Sequence, residues 1–272
     1  KPQPTEPAYG QFNWENADKI ANFCRSNGIK LRGHCLMWHA QIGKWMYQDE
    51  KGNLVSKEKL FQNMKHHITA IMERYKDVVY AWDVVNEAIS DGGRPVMGQK
   101  PSPYRNSPLY QIAGDEFIKK AFIYAREADP NVLLFYNDYN AADPQKRDRI
   151  YNMVKSMKEE GVPIDGIGMQ GHYNIYGPSM EDVDAALTKY STIVKHIHIT
   201  ELDIRANEEM GGHLNFSREA GDISQTVKLL QEDQYTRLFK ILRKHKDVVD
   251  NVTFWNLSDR DSWVGVRNYP LP

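Results

Sequence analysis

Several features that mark common classes of protein are scarce in this sequence. Cysteine occurs only twice in 272 residues, as Cys24 and Cys35, and neither lies in a CxxC or zinc-type spacing. Two isolated thiols within predicted secondary structure are typical of buried core residues, so a disulfide framework is not expected. No apolar run reaches the length that a membrane-spanning helix requires. The sequence therefore predicts no membrane span.

An excess of charge of one sign is also missing. The chain carries 35 basic and 36 acidic residues, for a formal net charge of -1. This balance creates no global field that would attract nucleic acid or an anionic membrane. No predicted strand is followed by a glycine-rich phosphate loop, which argues against the usual nucleotide sites. We therefore predict no nucleic-acid partner, no cofactor and no metal.

What the sequence does contain is a regular alternation of helix and strand signals. Six strands are predicted, at 29–34, 78–86, 132–136, 167–171, 194–201 and 252–257. The predicted helices cover 15–27, 56–75, 108–128, 143–161, 179–190 and 224–246. Because βα units repeat, we predict an α/β fold with a parallel sheet, and the spacing favours a barrel in one domain over residues 1–272. The long connection at 90–106 is predicted to be a binding loop.

Two glutamates stand at the ends of predicted strands. Glu87 closes the run WDVVNE, and Glu201 closes the run HITE. In a βα-repeated chain, this edge of the sheet is where catalytic groups are usually placed. A pair of glutamates there, with Asn86 before one and Asp203 after the other, suggests hydrolysis of a glycosidic bond. The alternative for either glutamate alone is a helix cap or a salt-bridge partner.

Six ordered motifs, each at a predicted strand end, extend this interpretation. They are GHCLMWHAQ at 33–41, WDVVNEA at 82–88, NDYN at 137–140, QGHY at 170–173, ITELD at 199–203, and FW at 254–255 with the segment 259–263. Together they resemble family 10 of the glycoside hydrolases, the endo-β-1,4-xylanases. The resemblance implies a (β/α)8 TIM barrel, with six of its eight strands represented here. It also implies endo-hydrolysis of xylan and xylo-oligosaccharides by a retaining double displacement.

The resemblance implies a role for each residue at the reaction centre. Glu87 would be the acid/base and Glu201 the nucleophile, since a retaining mechanism needs one protonated and one ionised carboxyl about 5–5.5 Å apart. Asn86 would bind the 2-hydroxyl of the sugar in the −1 subsite. His172 would hydrogen-bond the nucleophile, and Asp203 would orient that imidazole.

The other implied sugar contacts lie around this centre. Trp255 and Trp263 would wall the −1 subsite and crowd a hydroxymethyl group, which favours xylose over glucose. The remaining implied substrate contacts are Lys1, His34, Trp38 and Gln41 on the non-reducing side, Gln170 beside His172, and Tyr139 and Asn140 on the leaving-group side. Two departures from the family pattern are Asn256, where glycine is usual, and the pair Gly43-Lys44, where proline and an acidic residue are frequent.

The ends of the chain also depart from the family pattern. Lys1 matches the lysine of an Asn-Glu-Met-Lys motif, and the first two strands and the last helix of the barrel have no counterpart in the sequence. A six-stranded arc would leave unpaired edges. We therefore expect the missing barrel segments elsewhere in the polypeptide or in another chain, for example across an inserted carbohydrate-binding module. The family implies a secreted, cell-surface or periplasmic location.

Three alternatives stay open at this point. One is a xylanase-like protein that binds carbohydrate and has lost turnover. Another is a metal-dependent barrel hydrolase, because four histidines, His34, His39, His196 and His198, supply imidazoles near predicted strands. The third keeps the mechanism but acts on β-1,4-glucan or an aryl cellobioside.

Overall fold

The computed structural model describes residues 1–92, 102–206, 224–258 and 262–263. Its helices are α1 (Pro2–Thr5), α2 (Glu15–Asn27), α3 (Lys57–Tyr75), α4 (Pro108–Ala113), α5 (Glu116–Ala128), α6 (Pro144–Glu159), α7 (Met180–Tyr190) and α8 (Gln225–Lys244), with a short 3-10 turn at Lys44–Met46. Its strands are β1 (Leu31–Trp38), β2 (Val79–Asn86), β3 (Leu133–Asp138), β4 (Gly166–Met169), β5 (His172–Asn174), β6 (His196–Arg205) and β7 (Val249–Phe254). The chain divides into two compact units, one of Lys1–Asp138 with Arg149–Ile167 and the other of Tyr139–Asp148 with Gly168–Pro272.

The sheet of the first unit brings three motif residues to one edge. β1 pairs in parallel with β2, and β2 pairs in parallel with β3. Their register sets Trp38 opposite Asn86, and Asn86 opposite Asn137. Because parallel strands end at the same edge of a sheet, these side chains lie side by side where the chemistry is expected.

Helices α3 and α5 cover this sheet. Ser56 begins α3, because its hydroxyl accepts a hydrogen bond from the backbone N–H of Lys59 at 3.2 Å. Apolar residues of α3 then recur at helical spacing and are all buried: Leu60, Met64, Ile68, Ile71 and Met72. Burying such a side chain contributes about 1.5–3 kcal/mol, so this stripe fixes the helix on the sheet.

The second unit is built around β6. This strand pairs in parallel with β5 and with β7. The register places His172 opposite Asp203, and Leu202 opposite Phe254. Helix α7 begins at the capping hydroxyl of Ser179, and α8 begins in the same way at Ser224. The strand pairing thus brings the QGHY and ITELD motifs together.

The alternation of helices and parallel strands is confirmed, but several predicted boundaries are wrong. β1 continues past His34 to Trp38, and β6 continues past Glu201 to Arg205, because each gains backbone pairing from strands far along the chain. The predicted helix at 108–128 is two helices, since Gly114 adopts a φ of 60° and ends the first. The predicted strand at 167–171 ends at Met169, and the short β5 follows Gly171, whose φ is 81°.

Two further predictions concern the described residues only in part. Residues 93–101 of the predicted binding loop at 90–106 and residues 259–261 of the last motif lie outside the described residues. In the helices that are described, none has the length and apolar character that crossing a membrane requires.

Candidate active site

Glu87 occupies a tight turn immediately after β2. Its φ is 58°, a left-handed conformation that costs a non-glycine residue on the order of 1–3 kcal/mol. The neighbouring strand holds this turn in place. The backbone N–H of Glu87 donates to the carbonyl oxygen of Asn137 at 2.9 Å. Two residues further, the N–H of Ile89 donates to the hydroxyl of Tyr136 at 3.0 Å.

Two uncharged N–H donors contact the Glu87 carboxylate. The indole Nε1–H of Trp38 donates to Oε2 at 2.8 Å, and the amide Nδ2–H of Asn86 donates to Oε1 at 3.3 Å. Asn137 fixes the orientation of that amide, because its own Nδ2–H donates to Asn86 Oδ1 at 2.9 Å. Glu87 is half-buried. The indole and the amide thus orient a carboxyl that is only half-buried.

A buried ion-pair network lies on the strands that carry this site. Asp83 is completely buried, and its carboxylate accepts from Arg32 Nη2 at 2.5 Å and contacts His34 Nδ1 at 2.9 Å. Burial acts to raise the pKa of Asp83, but the charge of Arg32 and the hydrogen bonds from His34 and Arg32 hold that pKa below its usual value. The ionised Asp83 thus fixes the ring of His34, one of the predicted sugar contacts.

The other predicted contacts of the first unit lie near Trp38 or on the segment after it. The ammonium of Lys1 sits 4.6 Å from the centroid of the Trp38 ring, within the range of a cation–π contact. Gln41 accepts a hydrogen bond on its backbone carbonyl from the N–H of Gln3 at 3.0 Å. The structure therefore brings Lys1 to Trp38, and Trp38 to Glu87.

Glu201 lies in a different environment in the second unit. It is 5% exposed, and its backbone N–H donates to the carbonyl oxygen of Gln170 at 2.8 Å. Its Oε2 is 3.1 Å from His172 Nε2, and His172 Nδ1 is 2.9 Å from Asp203 Oδ2. Burial lowers the pKa of His172, but the hydrogen bonds and charges of Asp203 and Glu201 outweigh it and raise that pKa to about 9. The imidazole is therefore protonated at neutral pH and donates to both carboxylates.

Two tryptophans border the His172 ring. Trp263 lies 5.1 Å and Trp255 6.4 Å from it, centroid to centroid, both edge-on. The Nε1–H of Trp263 also donates to Asp203 Oδ2 at 2.8 Å, so the carboxylate that orients His172 orients this indole as well. Asn256, which departs from the family pattern, donates through Nδ2 to the hydroxyl of Ser262 at 3.1 Å. This bond ties the segment after Trp255 to the segment before Trp263.

Tyr139 and Asn140, the predicted leaving-group contacts, follow β3 in the chain and belong to the second unit. The ammonium of the buried Lys146 lies 3.4 Å from the centroid of the Tyr139 ring. Asn140 is exposed and has a φ of 51°, and its carbonyl accepts from the N–H of Asp143 at 2.9 Å. The turn is thus locally ordered, and the structure gives Tyr139 a cationic neighbour.

The four histidines that suggested a metal site contact other side chains in the structure. His196 Nδ1 and His198 Nε2 both contact the carboxylate of Asp250, at 2.6 and 2.9 Å. His34 is held by Asp83, and His39 lines a pocket with Glu87. Among the described residues, no three histidine, cysteine or acidic side chains are grouped so that they could hold a metal ion.

Sequence reasoning missed three residues that support the Glu87 site. Asn137 orients Asn86, Asp83 orients His34, and Arg105 donates through Nε to the Glu87 carbonyl oxygen at 2.9 Å. A signal existed for Asp83, because a carboxylate in an otherwise apolar strand requires a partner. No local signal existed for Arg105, which reaches Glu87 from the far end of the loop at 90–106.

Comparison with known proteins places this geometry in a family. The family model described as Glycosyl hydrolase family 10 matches residues 1–272. An endo-1,4-beta-xylanase/feruloyl esterase of Xylanibacter ruminicola is 61% identical over 278 residues, which cover 100% of this chain and 38% of that protein. An endo-1,4-beta-xylanase of Geobacillus stearothermophilus is 39% identical over 273 residues, 98% of this chain and 79% of that protein.

A solved structure agrees with this assignment. It is described as a psychrophilic glycoside hydrolase family 10 endo-beta-1,4-xylanase, and it superposes with a TM-score of 0.91 at 69% identity, covering 100% of this chain and 80% of that one. The predicted fold class is thereby confirmed: the parallel strands and helices of this chain form part of a (β/α)8 barrel.

Proposed function

The chain belongs to glycosyl hydrolase family 10, and from that premise we propose that it carries the catalytic centre of a retaining endo-1,4-β-xylanase. The observation that supports this most directly is the pairing of buried Glu201 with a protonated His172. The contact of 3.1 Å between His172 Nε2 and Oε2 fixes the orientation of the Glu201 carboxylate. An ionised, oriented carboxylate is what a nucleophile in glycoside cleavage needs.

In the first step, Glu201 acts as the nucleophile and Glu87 as the acid. An oxygen of the Glu201 carboxylate forms a bond to C1 of the sugar as the bond from C1 to the leaving oxygen breaks. The electron pair of that bond stays with the leaving oxygen, which takes the proton of Glu87. Asn86 is proposed to bind the 2-hydroxyl of the reacting sugar, in a contact that strengthens in the transition state.

In the second step, water replaces the leaving group. Glu87, now ionised, accepts a proton from water as the water oxygen attacks C1. The bond between C1 and Glu201 breaks, and its electron pair restores the Glu201 carboxylate. His172 then again faces an anion. Two displacements at C1 return the original anomeric configuration, so the proposed enzyme is retaining.

Aromatic and polar residues around each carboxylate are proposed to bind the polymer. Trp255 and Trp263 would border the reacting sugar and exclude a hydroxymethyl group, so that xylan is preferred over β-1,4-glucan. Both rings stand next to His172. The proposed non-reducing-side contacts are Lys1, His34, Trp38 and Gln41; Gln170 is proposed beside His172; Tyr139 and Asn140 are proposed on the leaving-group side.

We also propose that the enzyme meets xylan outside the cytoplasm. A polymeric substrate is too large to cross a membrane before it has been cut, so an endo-acting enzyme is useful where the polymer is. Fractionation of the producing cells, with activity assayed in the medium, envelope and cytosol, tests this point. Activity confined to the cytosol would contradict it.

The experiment that tests the function is hydrolysis of xylan by the full-length protein. We expect reducing sugar release, a rapid fall in polymer length, and a first product whose anomeric form by NMR is that of the substrate. The Glu201→Gln variant is the matched control. A protein that binds xylan and releases no reducing sugar would support the non-catalytic alternative, and inhibition by EDTA would support the metal alternative.

A further inference from the structure

Arg105 forms hydrogen bonds to the backbone of Glu87 and of the residue that follows it. Its Nε–H donates to the carbonyl oxygen of Glu87 at 2.9 Å. Its own backbone N–H donates to the carbonyl oxygen of Ala88 at 2.8 Å. One residue therefore holds two consecutive carbonyl groups of the turn after β2.

The hydrogen bonds that hold this turn come from strand β3, which binds its N–H groups, and from Arg105, which binds its carbonyl groups. The N–H groups of Glu87 and Ile89 are bound by Asn137 and Tyr136 of β3. The carbonyl groups of Glu87 and Ala88 are bound by Arg105. Because the φ of Glu87 is 58°, the turn keeps its shape only while its neighbours hold it. β3 belongs to the sheet, whereas Arg105 arrives from a loop.

We propose that Arg105 is a positioning residue for general acid catalysis, which keeps the Glu87 carboxyl aimed at the leaving oxygen. This inference rests on the proposed function of Glu87. Proton transfer requires donor and acceptor within hydrogen-bond distance, and a displacement of about 1 Å costs about 10²-fold in rate. The direction of a side chain follows the φ of its own residue. We therefore expect loss of the Arg105 bond to slow the proton transfer from Glu87 more than it slows the attack by Glu201.

The contacts of the guanidinium fit a positioning role. Its charged end lies 3.9 Å from Asp91, an anionic neighbour. Its Nε–H is bound to a neutral carbonyl. Arg105 also lines one pocket with Trp38, Asn86 and Glu87. Arg105 is thus placed beside the acid, and two of its hydrogen bonds go to the main chain of the Glu87 turn.

The test compares leaving groups. Arg105→Met in the full-length enzyme is assayed on dinitrophenyl and phenyl β-xylobiosides, since the dinitrophenolate leaves without a proton and phenolate departs poorly without one. We expect kcat/KM to fall about tenfold to 10²-fold on the phenyl substrate and less than about threefold on the dinitrophenyl substrate. Arg105→Lys keeps the charge and loses the Nε–H, so we expect the same selectivity with a smaller loss. Thermal melts show whether both variants fold.

Arg126→Met is the matched control. Its side chain is 27% exposed, as is that of Arg105, and it also binds carbonyl oxygens, those of Pro130 at 2.9 Å and Val132 at 2.8 Å. We expect this variant to lose stability without leaving-group selectivity. Equal losses of Arg105→Met on both substrates, or the same selectivity in Arg126→Met, would overturn the proposal. A parent enzyme that cleaves neither substrate would instead overturn the proposed function itself.

Discussion

Glu87 and Glu201 are the same side chain in two contrasting environments. Glu87 is half-buried on a turn in the left-handed region, and an indole and an amide donate to its carboxylate at 2.8 and 3.3 Å. Glu201 is 5% exposed, lies inside strand β6, and faces the imidazole of His172 at 3.1 Å. Behind that imidazole stands a second carboxylate, Asp203, at 2.9 Å.

The difference corresponds to what the two proposed roles demand. The proposed acid/base must reach first the leaving oxygen and then water, and Glu87 is half-buried on a turn where an indole and an amide orient its carboxylate. The proposed nucleophile must be held in one orientation for attack at C1, and Glu201 is buried in β6 against the imidazole of His172. The contrast therefore lies in the contacts rather than in the residue type, and substitution of either set of contacts tests it.

Replacing Glu201 should have the largest effect. We expect Glu201→Gln to lower kcat between about 10⁴- and 10⁶-fold, as removal of a nucleophile does in other hydrolases. The loss should be the same on phenyl and dinitrophenyl β-xylobiosides, because neither is cleaved without attack at C1. Steady-state kinetics on both substrates check this. A loss confined to the phenyl substrate would reverse the roles of the two glutamates.

Replacing Glu87 should have a smaller and selective effect. We expect Glu87→Ala to lower kcat/KM about 10²- to 10⁴-fold on the phenyl substrate, the range that general acid catalysis supplies, and to spare the dinitrophenyl substrate. On the latter, a burst of dinitrophenolate should precede slow turnover, because water is no longer activated. Azide should relieve that slow step and give a glycosyl azide. Absence of both burst and rescue would contradict the assignment.

His172 should make the second environment sensitive to alkali. Its pKa is raised from 6.5 to about 9, so the stability that it contributes is fully present below pH 6.5 and is lost as pH rises through about 9. The side chain is 14% exposed, and the shift corresponds to on the order of 3 kcal/mol. Urea unfolding at pH about 6 and about 10 measures it. Between the two pH values, we expect the free energy of unfolding of the parent enzyme to fall by about 3 kcal/mol more than that of His172→Gln. Equal falls in the two proteins would show that the folded enzyme does not stabilise the protonated His172.

The fold could be predicted where it depends on local sequence. The predicted helix at 15–27 matches α2 in both bounds, and Ser56 begins α3 as expected, because spacing and caps are local signals. Strand ends depend on pairing partners far along the chain, so the extensions of β1 to Trp38 and of β6 to Arg205 were missed. The break at Gly114 was missed because apolar spacing continues through it.

The candidate site could be predicted only in its outline. Resemblance supplied His172, Glu201 and Asp203 as a set, and the structure places them in contact. Arg105 was missed because its contacts arise from tertiary placement, which no spacing in the sequence encodes. Asp83 was missed although a carboxylate in an apolar strand signals a buried partner. The predictions of a single domain, of further barrel segments and of a location outside the cytoplasm stay predictions.

A matched pair of indoles gives the finest comparison. Trp38 Nε1–H donates to Glu87, and Trp263 Nε1–H donates to Asp203, both at 2.8 Å. Phenylalanine keeps one aromatic ring and removes the N–H donor together with the second ring of the indole. Because a hydrogen bond contributes about 0.5–1.5 kcal/mol, we expect Trp38→Phe to lower kcat/KM by up to about tenfold on the phenyl substrate and by little on the dinitrophenyl one. Trp263→Phe acts on His172 through Asp203, so we expect kcat/KM to fall less than about threefold, and equally on both substrates. Equal selectivity in the two variants would mean that the two carboxylates do not differ in the way their contacts suggest.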